Sequence, residues 1–246
     1  MKYLFLIGII LTVSGCQVTR PPAPSYKEKE QAGVQRKPEP REILAGSLSF
    51  DVTTGRIKYT LPEDALVRIR VGLKDGGPLL RHVVDWELRK AGEHTESWDK
   101  KDASGQITFG SGNNFMIIIA CRPLNAREHW NNSLGIKGLR KSPEFQMTLP
   151  SARTYTKDGL PVVSGIAPLR IFLEKEDQQW LAETRYELGL YVDYVFLMEE
   201  EEGVNPFTYD LDTRKLNDGP HTLTANIVGY DGEVGTRSIL ISVKNQ

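Results

Sequence analysis

Cysteine is nearly missing from this chain: Cys16 and Cys121 are the two among 246 residues. The disulfide framework that holds many small secreted domains together therefore has nothing to build on. Net charge is nearly missing as well, at -1 from 31 Lys+Arg against 32 Asp+Glu. No basic helix or stripe appears, so the electrostatic footprint of a nucleic-acid binder is not there. The metal and nucleophile signatures are wanting too. The four histidines, His82, His94, His129 and His221, form no pair four residues apart and no cluster with cysteine, which argues against a zinc site. No Gly-x-Ser-x-Gly elbow occurs, and no glycine-rich phosphate loop follows a strand into a helix.

What is there begins at the N-terminus. Lys2 precedes an apolar stretch, Tyr3-Leu4-Phe5-Leu6-Ile7-Gly8-Ile9-Ile10-Leu11. Even extended to Gly15 it falls short of the ~20 residues that a permanent membrane helix needs, so it reads as a removed signal. Ser14 and Gly15 stand directly before Cys16, and a polar chain follows. This resembles the lipobox of bacterial lipoproteins. The resemblance implies cleavage after residue 15 and acylation of Cys16. Each buried methylene contributes ~0.8 kcal/mol, so two or three acyl chains hold a protein on a membrane essentially permanently. Gln17 follows the cysteine where an aspartate is associated with inner-membrane retention, which makes the outer membrane the expected location. Residues 16–45 form the expected tether. Pro21, Pro22, Pro24, Pro38 and Pro40 punctuate a segment with too little apolar surface to offset its ordering entropy.

From Gly46 onward the hydrophobic period is two, the period of half-buried strands. Ile57–Leu61, Val67–Val71, Leu169–Leu173, Leu223–Ile227 and Ile239–Val243 all alternate, and Phe115–Cys121 is a continuous buried run. Cys121 there reads as a small core hydrophobe. Pro62-Glu63-Asp64, Asp75-Gly76-Gly77-Pro78, Asn217-Asp218-Gly219-Pro220 and Asp231-Gly232 supply turns between them. No segment reads as an amphipathic helix of three or more turns. The predicted fold is all-β: two immunoglobulin-like β-sandwich domains at 46–122 and 143–246, joined by a connector over 123–142 that lacks sustained alternation.

Two stretches carry a more specific resemblance. Tyr59-Thr60-Leu61-Pro62-Glu63-Asp64-Ala65-Leu66-Val67, then Ala91-Gly92-Glu93-His94, then Trp98-Asp99-Lys100-Lys101-Asp102-Ala103-Ser104-Gly105 resemble the FlgD-type immunoglobulin-like domain. That module is named for the flagellar hook-capping protein and recurs in secreted proteins as an accessory. Lys100 stands where glycine is often found. Leu190-Tyr191-Val192-Asp193, Pro206-Phe207 through Asp212-Thr213, and Leu216-Asn217-Asp218-Gly219-Pro220-His221-Thr222-Leu223 resemble a second bacterial Ig-like domain. There the turn after Asp193 usually carries glycine, and here it carries Tyr194. Both resemblances imply fold, and fold does not imply function.

The candidate site residues each have a plain structural alternative. Asp99 and Asp102, with Ser104 and Gly105, can offer oxygen ligands to Ca²⁺, or simply cap their own turn; Lys100 and Lys101 inside it favour the turn. Glu199-Glu200-Glu201-Glu202 is a solvated loop or a docking patch for a basic partner. Trp86 and Trp98 read as core. Trp130 in the connector and Trp180 after Asp177 are candidate contacts for a sugar or a partner, or packing between the two domains. His94 and His221 sit at strand entrances, where hydrogen bonding is the expected role. The expectation is a non-enzymatic, lipid-anchored envelope protein acting as scaffold or binding subunit, with no cofactor, no metal and no nucleic acid. The alternatives are a carbohydrate-binding accessory, with polysaccharide as partner, and last a hydrolase with an unrecognised acidic site.

Overall fold

The computed structural model describes residues 45–124, 140–230 and 232–245. The first group of strands comprises β1 (Gly46–Asp51), β2 (Arg56–Leu61), β3 (Ala65–Leu73), β4 (Leu79–Arg89), β5 (Gly92–Ser97) and β6 (Phe115–Pro123). They form two antiparallel sheets, ordered β1-β2-β5 and β4-β3-β6. Alternation decides which faces meet. Ile57, Tyr59 and Leu61 of β2 and Val67, Ile69 and Val71 of β3 are all buried in one core with Trp98, Phe109, Phe115 and Cys121. Trp98 is the pivot of that core. Its ring meets Phe115 edge-on at 5.0 Å between centroids, and its Nε1 donates to the Lys101 carbonyl at 2.7 Å. Gly55, at φ 72°, brings its backbone so close to Trp98 that a Cβ there would lie 2.1 Å from the Trp98 carbonyl oxygen.

The second group comprises β7 (Phe145–Thr148), β8 (Thr154–Tyr155), β9 (Pro161–Val163), β10 (Ile166–Leu173), helix α1 (Lys175–Thr184), β11 (Tyr186–Val192), β12 (Val195–Glu200), β13 (Phe207–Asp212), β14 (Gly219–Gly229) and β15 (Val234–Val243). Its sheets are ordered β13-β10-β7 and β12-β11-β14-β15-β9-β8. Pairing is antiparallel except between β9 and β15. The core holds Leu169, Ile171, Leu188, Leu190, Leu223, Ile227 and Ile241.

Both groups are immunoglobulin-like sandwiches, and their strand orders correspond. The three-stranded sheet of each is built from its first strand, a central strand and the strand that follows the hairpin (β1-β2-β5, β7-β10-β13). The arrangement β4-β3-β6 matches β12-β11-β14. The all-β expectation holds, with one addition. Helix α1 covers the segment around Asp177–Trp180, where the sequence announces no helix. It buries Trp180 and Leu181 on the second core, and Glu176 and Asp177 lie in its first turn, where they complement the helix dipole. Ten residues with two adjacent apolar anchors make no repeating apolar stripe, so nothing in the sequence announces it.

Candidate interaction surface

The two sandwiches meet along β4 on one side and the β14–β15 hairpin on the other. Asn226 stands outward on β14 yet is only 5% exposed. Its Oδ1 accepts from the Leu79 backbone N–H at 2.7 Å, and its Nδ2 donates to the Leu79 carbonyl at 3.1 Å. The Thr236 hydroxyl donates to the same carbonyl at 2.7 Å. One side-chain amide thus stands in for a strand partner at the edge of the first sandwich.

His82 on β4 reaches the Val234 carbonyl through Nε2 at 2.6 Å. A carbonyl only accepts, so Nε2 carries the proton and Nδ1 is left to accept from the Ser142 hydroxyl at 3.1 Å. Burial pulls this imidazole down to about 4, with Asp85 pulling up and Arg68 and Arg70 pushing down. Beside it Arg68, 2% exposed, donates to Asp85 at 2.8 Å and to the Arg140 carbonyl at 2.6 Å, and lies 4.6 Å from the Trp86 ring centroid. Asp85 also takes the Ser142 backbone N–H at 2.8 Å. Buried Glu233 supports the charges of Arg68 and Arg70 across the junction.

At the other end of the junction the β11–β12 turn runs through two positive-φ residues, Asp193 at 48° and Tyr194 at 66°. Left-handed backbone is costly for a tyrosine. The turn is held from behind: Asp193 Oδ1 accepts the Thr222 N–H at 2.9 Å, and Oδ2 meets His221 Nδ1 at 2.6 Å. His221 Nε2 points at the Asn217 carbonyl, 2.8 Å away. Burial opposes charge on His221, but a carbonyl on one nitrogen and a carboxylate on the other ask both to donate, and its pKa is raised. So held, the turn packs Tyr194 against the core of the first sandwich, where its ring lies 5.1 Å from Phe109.

Two further features face solvent. The start of β12 exposes Val195 at 70%, Phe196 at 53% and Leu197 at 37%. The register moves from Leu190↔Met198 to Tyr191↔Phe196, so Leu197 is left over as a bulge. The acidic residues follow directly; burial, then repulsion from Glu187 and Glu201, raises the pKa of Glu199. Sequence reasoning missed the apolar half of this surface, although Val195-Phe196-Leu197 in front of four glutamates was its signal. A crevice of about 610 Å³ opens where the 103–106 turn of the first sandwich overhangs the second, lined among others by Ser104, Gln106, Thr148, Tyr155, Arg237 and Ser238.

The residues singled out from the sequence fall in different places. Trp180 is 4% exposed; its Nε1 donates to Asp177 at 2.9 Å and Arg140 lies over its ring at 5.0 Å. Its indole is therefore core and not an open contact. Cys16 and Trp130 lie outside the described residues, as do nearly all of the tether and most of the connector. Asp99 caps its turn by accepting the Lys101 N–H at 3.0 Å. Asp102 is wholly buried; its Oδ1 accepts from the Ser104 hydroxyl at 2.6 Å, while its Oδ2 has no hydrogen-bond partner. The two carboxylates thus serve separate turns. Among the described residues no three His, Cys, Asp or Glu side chains stand close enough to share a metal ion. His94 bonds the Lys90 carbonyl at 2.6 Å and stacks on Tyr59. The thiol of Cys121 is buried, which raises its pKa.

No known protein family matches the chain, and no curated protein does. Solved structures give partial likenesses. An endo-β-1,4-mannanase from Thermotoga petrophila is 19% identical over 45% of this chain and 21% of its own, with a TM-score of 0.31. The fibronectin(III)-like modules of Clostridium thermocellum CbhA are 11% identical over 78% of this chain and 87% of theirs, at 0.30. A tetra-tandem repeat from the extending region of a large adhesion protein is 12% identical over 81% of this chain and 49% of its own, at 0.30. This chain thus spans about a fifth of the mannanase chain.

Proposed function

We propose that this chain is a lipid-anchored envelope protein whose two sandwiches, one of them FlgD-like, act as a single rigid binding or scaffolding arm. The observation that carries this reading is the junction. Asn226, Thr236 and His82 each hydrogen-bond from one sandwich to the other, and the Tyr194 ring crosses to Phe109. Flexibly linked modules have no need of such a seam, whereas an arm that holds two surfaces at a set angle does. The surface at the start of β12 has the anatomy of a contact: exposed apolar side chains including an aromatic, rimmed by charge. At the N-terminus, Ser14-Gly15-Cys16 supports acylation and Gln17 supports the outer membrane.

Two measurements test this. Mass spectrometry of the mature protein is expected to find a diacylglycerol thioether on a chain starting at Cys16; an unmodified start overturns the anchor. Cross-linking in intact envelopes is expected to join residues around Phe196 to a partner protein. Cross-links that spread evenly over the surface, unaltered by Phe196→Asp, overturn the contact.

The crevice favours a second reading, carbohydrate binding. Tyr155 is 65% exposed beside it, and Arg237, Gln106 and Thr148 line the same space, the mixture of ring and hydrogen-bonding groups that sugars require. Polysaccharide pull-down lost on Tyr155→Ala would establish it. Trp180→Ala is no test, because it truncates a core side chain.

A further inference from the structure

In the second sandwich the edge of β14 is covered by β15 over ten residue pairs, from Gly219↔Val243 to Val228↔Val234. The corresponding strand of the first sandwich, β6, pairs with β3 in unbroken register, and no strand among the described residues pairs with its other edge. The difference shows in burial. β14 is buried over six consecutive residues. In β6, Met116 is 40% exposed and Ile117, Ile118, Ile119 and Ala120 are all half-buried.

The other described edges carry the devices that discourage strand addition. β1, β4 and β12 are broken by register shifts. β8 has two residues and β7 has four. β5 carries Glu93 and Glu96, and β13 carries Asp210 and Asp212. β6 has none of these between Phe115 and Cys121; its first charge is Arg122. A regular, uncharged edge of this kind calls for an extended strand. The 15 residues 125–139 that follow show no sustained alternation in sequence.

We infer that β6 pairs with β6 of a second copy of this chain, antiparallel about a two-fold axis at Ile118. The charge pattern selects both the occupant and the register. Centring on Ile118 sets Met116 opposite Ala120, and Ile117 opposite Ile119. Arg122, the one charge on the strand, then falls opposite Asn114, whose Nδ2 already donates to Asp75 at 3.0 Å. Each end of the pair brings a cation to a carboxylate and no like charges meet. The contact is isologous and closes at two copies. The hydrogen bonds from the second sandwich fall on β4 and on the outward Arg70 of β3, and among the described residues none reaches β6. The pairing joins two β4-β3-β6 sheets into one six-stranded sheet, and it stands whether or not residue 16 is acylated.

The test uses the full chain in detergent, followed by sedimentation. Wild type is expected to dimerise. Ile118→Lys, a change on the solvent side of the strand, places two lysines together at the axis and should weaken association more than tenfold; Met116→Glu, away from the axis, serves as a second variant. With Cys16 acylated or replaced by serine, a chain with Ile118→Cys and Cys121→Ser should form a disulfide-linked dimer that Cys121→Ser alone does not. A wild-type chain that stays monomeric at ~100 μM overturns the inference. So does a dimer that both substitutions leave unchanged, or a dilute monomer in which every β6 amide already resists hydrogen exchange, since the edge would then be covered by its own chain.

Discussion

Tyr194 belongs to the turn between β11 and β12, yet its ring packs 5.1 Å from Phe109 in the core of the other sandwich. Its φ is 66°, a left-handed conformation that favours glycine. A left-handed tyrosine costs about 1 kcal/mol or more, whereas its half-buried ring, packed against the first core, returns roughly 2 kcal/mol. The exchange is favourable only because the first sandwich lies where the ring can enter it. Tyr194→Gly should therefore relax the turn and still destabilise the protein, by ~1 kcal/mol. Chemical denaturation should pass from one transition to two as the sandwiches uncouple, while Tyr194→Leu should keep part of the coupling.

Asn226 serves both backbone groups of Leu79 from the neighbouring sandwich. Asn226→Leu keeps the size and leaves a buried N–H without its acceptor, at a cost of about 2–3 kcal/mol. The urea midpoint should fall accordingly, and the Leu79 amide should lose most of its protection from hydrogen exchange. Unchanged protection would show that the amide bond is not what holds the junction.

His82 and His221 give the protein opposed pH dependences. Folded His82 titrates at about 4 against 6.5 unfolded. Between those values the unfolded chain binds more protons, so stability is full above 6.5 and falls as pH drops toward 4, by roughly 1.4 kcal/mol per unit crossed. Asp85, Arg68 and Arg70 face the same imidazole, the carboxylate favouring its protonation and the two guanidinium groups opposing it. Folded His221 has a raised pKa, so its contribution is full below 6.5 and declines as pH rises through the folded value. Stability followed from pH 4 to 8 should climb to about 6.5 and then level or dip. His82→Gln should flatten the acid limb alone.

Gly55→Ala should be among the most damaging single-methyl changes in the first sandwich. Its φ is 72°, and the added Cβ would come 2.1 Å from the Trp98 carbonyl oxygen, which is backbone and cannot swing aside. A loss of ~2 kcal/mol or more is expected, read as a lowered thermal midpoint and a changed Trp98 fluorescence. Gly105→Ala, with positive φ but open space around it, should cost about 1 kcal/mol and serves as the comparison.

Much of this architecture is a local matter and was legible in the residues. Alternation at Ile57–Leu61 and Val67–Val71 determines which side chains face inward, because successive Cβ atoms point to opposite faces of a strand. Turn residues such as Asp75-Gly76-Gly77 mark where strands must end. The expectation of a lipobox at Ser14-Gly15-Cys16 likewise rests on sequence alone. What the sequence could not determine is which outward faces are also buried. Asn226, Thr236 and His82 alternate as solvent-facing polar residues should, and only the second sandwich lying against them makes them a seam. For Trp180 the sequence left contact and packing both open, because a single short helix sends no periodic signal before it docks. Hydrogen bonds and burial between segments more than a hundred residues apart, as between Leu79 and Asn226, depend on chain positions that no local pattern encodes. Period and turn chemistry therefore determined the strands, and tertiary packing alone decided that the two sandwiches share a seam.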